Sequence, residues 1–255
     1  MPAWDPAQYL RYEDHRRRPA LDLIGRIPPV EAGRVWDLGC GTGTITALLA
    51  ERWPAARVTG LDSSPDMLER ARSLPGIEWV LGDIGGWDPT DAADVVFSNA
   101  ALHWLPDHAV LFPRLIDTLR PGGVLAVQMP RNFGEPSHTL LADLARSAPY
   151  TADIGHLVEP SPVHEPRWYH RLLRPRCTRL DVWETVYVQE LTGSDPVAEW
   201  TRGSAARPYL EALAPTGRDE AFFAEYTAAL RTAYPSGEDG TTPFPFRRLF
   251  VVAVR

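Results

Sequence analysis

Three glycines at alternate positions, Gly39, Gly41 and Gly43, stand between a short β-rich run, Arg34–Leu38, and a segment with apolar residues at helical spacing, residues 44–53. Strand, glycine turn and helix in that order open an open-faced α/β sheet, because glycine accepts positive φ and lets backbone come close to a ligand at the carboxyl end of the strand. The alternation continues along the chain. Strands are predicted over residues 57–61, Glu78–Leu81, 94–98 and 124–129, and helices over 65–73 and 108–119, the last stopped by Pro121-Gly122-Gly123. Five strands with helices between them between residues 34 and 129 read as βαβ units on a mostly parallel, doubly wound sheet.

The rest of the chain has a different texture. Residues 131–179 are rich in Pro, His, Arg and aromatics, residues 180–191 alternate as a strand, 195–213 and 218–234 have helical spacing, and 248–255 read as a final strand. Two late strands around a long excursion predict an antiparallel pair closing the sheet edge. Residues 131–179 and 192–246 are expected to form a cover over the cleft, and residues 1–30 an N-terminal helical segment. At 255 residues, without repeats or a low-complexity linker, the expectation is one domain spanning 1–255.

Composition narrows the function classes. A formal charge of −7 argues against a basic surface and so against nucleic acid as a principal partner. No apolar run approaches the roughly 20 residues of a membrane helix, and residues 1–19 lack the apolar centre of a signal peptide, so no membrane partner and a cytoplasmic location are expected. Cys40 and Cys177 are too few for a disulfide framework. All 26 basic side chains are arginine; without lysine, no Schiff base or lysine general base is available. Oligomeric state is not set by any of these features.

The glycine spacing discriminates between cofactors. A dinucleotide fingerprint, G-x-G-x-x-G, would place its third glycine where Thr44 stands, with Gly43 one position early. S-adenosylmethionine has no pyrophosphate to seat on the helix N-terminus; it presents an amino-acid end and a sulfonium, which suit the acidic Asp37 just before the glycines. Four strand ends then supply fitting residues. Asp62, beside Ser63, can accept both ribose hydroxyls; Asp83 can accept the adenine amino group while Ile84 packs on the ring; Asn99 lines the centre of the cleft. Asp62 alone could instead be a helix cap ahead of Ser63-Ser64-Pro65, and the two roles are compatible.

On these residues the chain resembles the class I methyltransferases and, over essentially its full length, the trans-aconitate 2-methyltransferase family. The resemblance runs through Trp4-Asp5-Pro6, Tyr9-Leu10, Arg16, Arg18-Pro19, Asp37 to Gly43, Leu61 to Pro65 and Trp104 to His108. Its most specific stretch is Gly123 to Pro130 with Asn132 to His138, and it extends to Arg207-Pro208 and Arg248-Leu249-Phe250. It implies a Rossmann-like seven-stranded sheet with its last strand antiparallel, and esterification of one carboxylate of trans-aconitate with S-adenosylhomocysteine as co-product. It also implies cofactor roles for Gly39, Gly41, Asp62, Asp83 and Asn99, with Tyr9 and Arg18 holding the methionine carboxylate. Residues 149–176 depart from the family pattern.

A carboxylate nucleophile has a pKa near 4 and is ionised at neutral pH, so the reaction calls for positioning rather than a general base. Arginine forks bind carboxylates with two parallel hydrogen bonds. The substrate-binding candidates are Arg131, Arg202, Arg207 and Arg248, with Gln128, Tyr209 and Trp104 as neutral companions, although a single arginine is most often a solvated surface charge. His103, four positions after Asn99, is the one candidate base, needed only for a protic nucleophile. His156, His164 and His170 lack the spacing of metal ligands, so no metal is expected. The alternatives are a methyltransferase for a phenolic or amine natural product, an NAD-linked oxidoreductase, which the Thr44 position disfavours, and a non-catalytic cofactor-binding protein.

Overall fold

A computed structural model describes residues 13–255, with side chains from Arg17 onward. The chain divides into two compact units: a sheet unit of Arg16–Pro130, Pro162–Thr185 and Arg248–Arg255, and a helical unit containing Arg131–Ser161 and Val186–Arg247.

Seven strands, β1 (Arg34–Leu38), β2 (Arg57–Asp62), β3 (Glu78–Leu81), β4 (Ala93–Asn99), β5 (Leu119–Pro130), β6 (Arg179–Thr192) and β7 (Thr241–Val254), lie in the order β3-β2-β1-β4-β5-β7-β6. β1 pairs in parallel with β2 and β4, β2 with β3, and β4 with β5, whereas β5 and β7 run antiparallel. The expected mostly parallel seven-stranded sheet with an antiparallel last strand is the fold found. Central strands of a parallel sheet are covered on both faces and read as continuous apolar runs. Val95, Val96 and Phe97 of β4 and Leu125, Ala126 and Val127 of β5 accordingly have no exposed surface. At about 1.5–3 kcal/mol for each fully buried large apolar side chain, these two strands anchor the sheet.

Several predicted boundaries need correction. The helix predicted over 108–119 ends at Asp117, and Pro121-Gly122-Gly123, read as its stop, lies inside β5. The glycines are used there by the sheet: Gly122 N–H donates to the Arg255 carbonyl at 2.9 Å, and a Cβ on Gly123 would stand 3.1 Å from the Ala93 carbonyl oxygen. Residues 131–179, for which the sequence pattern predicts no individual element, carry helices at Pro136–Arg146, Thr151–Ile154 and Pro166–Leu173. Pro136 and Pro166 begin helices, where a missing N–H costs nothing. The single helical stretch predicted over 195–213 is two helices, Pro196–Arg202 and Arg207–Leu213, with Gly203 closing the first.

The helical unit has a core of its own, in which Tyr150, Phe222 and Tyr226 are fully or nearly fully buried. Tyr150 meets Phe222 edge-on at 5.0 Å between ring centres, and the Tyr226 hydroxyl donates to the Ser137 carbonyl at 2.6 Å, so its buried polar tip is satisfied. Among the described residues no helix is long and apolar enough to cross a membrane.

Candidate active site

The carboxyl ends of β1, β2 and β4 meet at the glycine turn. The N–H groups of Gly39 and Cys40 both donate to the Leu61 carbonyl, at 2.8 and 3.1 Å, which ties the turn to the end of β2. The three glycines have different tasks. A Cβ on Gly39 would lie 2.2 Å from the Ala101 methyl, and one on Gly43 would lie 2.5 Å from the Trp79 ring, so these two serve close packing within the protein. At Gly41, with φ +57°, an added Cβ meets nothing within 4 Å. That is the open face of the turn.

Around it stand three carboxylates. Asp62 accepts the Gly41 N–H at 2.8 Å through Oδ2 and the Ser64 N–H at 2.9 Å through Oδ1. The cap of the following helix, Pro65–Ala71, is Ser64, whose hydroxyl accepts the Met67 N–H, and Ser63 is exposed beside it. Asp83 accepts the Gly85 N–H at 2.8 Å and so orders a one-turn helix, Ile84–Gly86, that presents buried Ile84. Asp37 is buried beneath the turn and accepts the Thr46 hydroxyl at 2.6 Å. Burial pushes its carboxyl up to about 7, with the Asp62 charge adding to the rise and the Thr46 hydrogen bond opposing it. Thr46 carries no local signal of this role, being nine residues further on inside a helix.

The residues fit S-adenosylmethionine. Asn99 Oδ1, at the end of β4, is a buried acceptor with no hydrogen-bond partner, the kind of atom a ligand donor would satisfy. Gly41 offers the unobstructed backbone, Asp62 and Asp83 offer acceptors, and Asp37 offers a carboxylate that a nearby cation would return to its ionised form. Arg18 lies exposed on the helix Glu13–Arg26. Tyr9 lies outside the described residues.

Gln128 of β5 stands in register with Asn99 of β4 on one side and Phe250 of β7 on the other. Arg248, only 4% exposed, donates from Nη1 to Gln128 Oε1 at 3.2 Å, and Gln128 Nε2 is buried without a partner. The structure thus brings together Asn99, Gln128 and Arg248 at one end of the sheet. Trp104, on the one-turn helix Leu102–Trp104 after β4, is 69% exposed, with the His103 ring 4.6 Å away.

The other substrate candidates belong to the helical unit, each with interactions inside it. Arg207 pairs with Glu211 at 3.1 Å, and Arg202 lies 4.1 Å above the Phe223 ring and 3.3 Å from Glu220. Tyr209 stacks on Phe222, and Arg131 donates its backbone N–H to the Arg247 carbonyl at 2.9 Å. No group of three His, Cys, Asp or Glu able to hold a metal ion is found among the described residues.

Comparison with known proteins decides the family. A trans-aconitate 2-methyltransferase from Azoarcus sp. (strain BH72) is 49% identical over 258 residues, covering 100% of both chains. The chain belongs to the trans-aconitate 2-methyltransferase family. A second member, from Streptomyces coelicolor, is 49% identical over 264 residues, covering 99% of this chain and 86% of that protein. A family profile described as "Methyltransferase domain" matches residues 35–123, which span β1 to the start of β5 and hence the whole glycine-turn region. Among solved structures the fold is shared with YcgJ from Bacillus subtilis (TM-score 0.58, 16% identity, 94% of this chain and 98% of that one). It is also shared with a S-adenosylmethionine-dependent methyltransferase from Thiobacillus denitrificans in complex with S-adenosylhomocysteine (TM-score 0.51, 18% identity, 99% and 92%). The family expected from the sequence is therefore the one to which this methyltransferase belongs.

Proposed function

We propose that this chain transfers a methyl group from S-adenosylmethionine to one carboxylate of trans-aconitate, giving a monomethyl ester and S-adenosylhomocysteine. The observation that carries the acid substrate is Arg248: a guanidinium 4% exposed, oriented by Gln128 beside Asn99 at the carboxyl ends of the central strands. A buried cation is expensive unless its place is useful, and a planar fork suits a carboxylate better than any neutral acceptor. Full-length relatives that carry the trans-aconitate name support the same reading.

When bound, the cofactor supplies an electrophilic methyl group on a sulfonium. The chain's own contribution is positioning. Asp62 holds the ribose while its bond to Gly41 fixes the turn; Asp83 and Ile84 hold the adenine; Asn99 and Asp37 meet the amino-acid end, together with Arg18 and Tyr9. Arg248 and Gln128 hold a substrate carboxylate, and Trp104 walls the substrate. Orientation of this kind contributes on the order of 7–11 kcal/mol to a two-reactant step. Because the attacking oxygen is already ionised, no proton is removed and His103 has no acid–base task. The partner is a small molecule, not nucleic acid, in a cytoplasmic setting. Mass spectrometry of reactions with trans-aconitate, cis-aconitate, citrate and a neutral phenol tests the assignment, which requires the trans-aconitate ester to form with the highest kcat/KM.

A further inference from the structure

The segment Pro162–Thr185 belongs to the sheet unit, and one buried chain of hydrogen bonds shows what it is attached to. His108, at the start of the helix His108–Asp117, is buried. Its Nε2 lies 3.0 Å from the Leu102 carbonyl and its Nδ1 lies 2.6 Å from the hydroxyl of Tyr169, a fully buried residue of the helix Pro166–Leu173. A carbonyl oxygen can only accept, so Nε2 carries the proton. Burial lowers the pKa of this imidazole and keeps it neutral, so Nδ1 is bare and Tyr169 is the donor. The direction of the chain is therefore settled by chemistry: Tyr169 O–H to His108 Nδ1, and His108 Nε2–H to the carbonyl of Leu102.

Leu102 opens the one-turn helix that presents His103 and exposed Trp104, and the residue before it, Ala101, is the one that fills the space left by Gly39. The same Leu102 carbonyl accepts the Leu105 N–H at 3.0 Å. On its approach side the turn follows Ala100 at φ 54°, and on its exit side it reaches Asp107 at φ 54°, two positive angles that non-glycine residues seldom adopt. A turn entered and left through such angles keeps its form only where its surroundings hold it. The bond from His108 is one such hold, and Tyr169 in turn sets the tautomer that makes it.

We infer that Tyr169 and His108 are positioning residues for the reaction: through the Leu102 carbonyl they fix the turn that carries Trp104 against the substrate. Tyr169, from the segment Pro162–Thr185, thereby tunes substrate recognition without touching substrate. This rests on the reading of Trp104 as a substrate wall given above.

The test is Tyr169→Phe, which deletes one oxygen and keeps the ring. KM for trans-aconitate is expected to rise about 10-fold, with the dissociation constant of S-adenosylmethionine within about twofold of the parent. A parental KM, or a cofactor constant that moves as far as KM does, overturns the inference, since the residue would then be inert or only structural. The paired variants His108→Gln and His108→Leu decide the matter independently of whether Tyr169→Phe folds. Gln can both donate to Leu102 and accept from Tyr169, so it should recover most of the KM lost in Leu; equal KM values in the two variants contradict the relay. Turnover of trans-aconitate by the parent tests the substrate reading separately, because the ratio of variant to parent can be measured on whichever acid the enzyme esterifies.

Discussion

One carboxylate, that of Asp62, accepts the backbone N–H of Gly41 at 2.8 Å and that of Ser64 at 2.9 Å, joining the glycine turn of β1 to the helix that follows β2. The two strands it joins lie side by side in the sheet. The same side chain is the proposed ribose acceptor, so its removal affects both the ligand and the loop that cradles it.

Asp62→Ala is expected to weaken S-adenosylmethionine binding by about 2–4 kcal/mol, the loss of a charged acceptor for two hydroxyls in a partly dry cleft. Asp62→Asn keeps an acceptor for one of the backbone N–H groups and should fall between Ala and the parent. Isothermal titration calorimetry reads the affinities, and circular dichroism checks that the fold persists. Parental affinity in Asp62→Ala would remove the ribose assignment.

Arg248→Leu should raise KM for trans-aconitate by roughly 10- to 100-fold with little change in cofactor affinity, since it deletes a charge-assisted fork. Arg248→Lys should recover little of this, because an ammonium lacks the planar geometry that Gln128 orients. Arg207, which already holds Glu211, should tolerate the same change to Leu better than Arg248 does. Steady-state kinetics on purified variants decides the order, and a larger effect at Arg207 would move the carboxylate site away from the sheet.

A buried carboxyl and a half-buried imidazole give the fold opposite pH dependences. Asp37, raised to about 7, binds a proton more tightly when folded, so its contribution to stability is full below about pH 4 and is lost as pH rises toward 7. His138, which burial lowers to about 4, binds a proton less tightly when folded, so its contribution is full above about pH 6.5 and is lost as pH falls toward 4. Asp37→Asn should therefore stabilise the ligand-free protein at pH 8, by about 2 kcal/mol, while weakening cofactor binding. His138→Gln should flatten the loss of stability between pH 6.5 and 4. Urea unfolding at pH 4.5, 6 and 8 measures both, and unchanged pH profiles in the two variants would contradict these assignments.

Much of this was legible in the chain itself, for identifiable reasons. β1 and β3 have the bounds predicted for them, because short apolar runs flanked by turn residues leave few alternatives. The positions of Asp62, Asp83 and Asn99 follow from that, since strand ends are where such a sheet presents its residues. Proline is ambiguous as a local signal: Pro121 reads as a helix stop but lies inside a strand, whereas Pro136 and Pro166 stand at the first turn of helices, where they break nothing. What no local pattern could supply were long-range partners. Thr46 under Asp37, Ala101 against Gly39, and Tyr169, 61 residues from His108, are adjacent only after folding.

Methyl transfer to a carboxylate without a general base is open to a direct measurement, the pH dependence of kcat on trans-aconitate in the parent and in His103→Ala. The product is identified in the same runs as the monomethyl ester by mass spectrometry. Ester formation is expected with kcat nearly flat from about pH 6 to 8, above the ionisation of the substrate, and with most of that activity retained in the variant. A rate that climbs through an apparent pKa near 6.5 and collapses in His103→Ala, or an enzyme that leaves trans-aconitate unchanged while methylating a phenol, would contradict it.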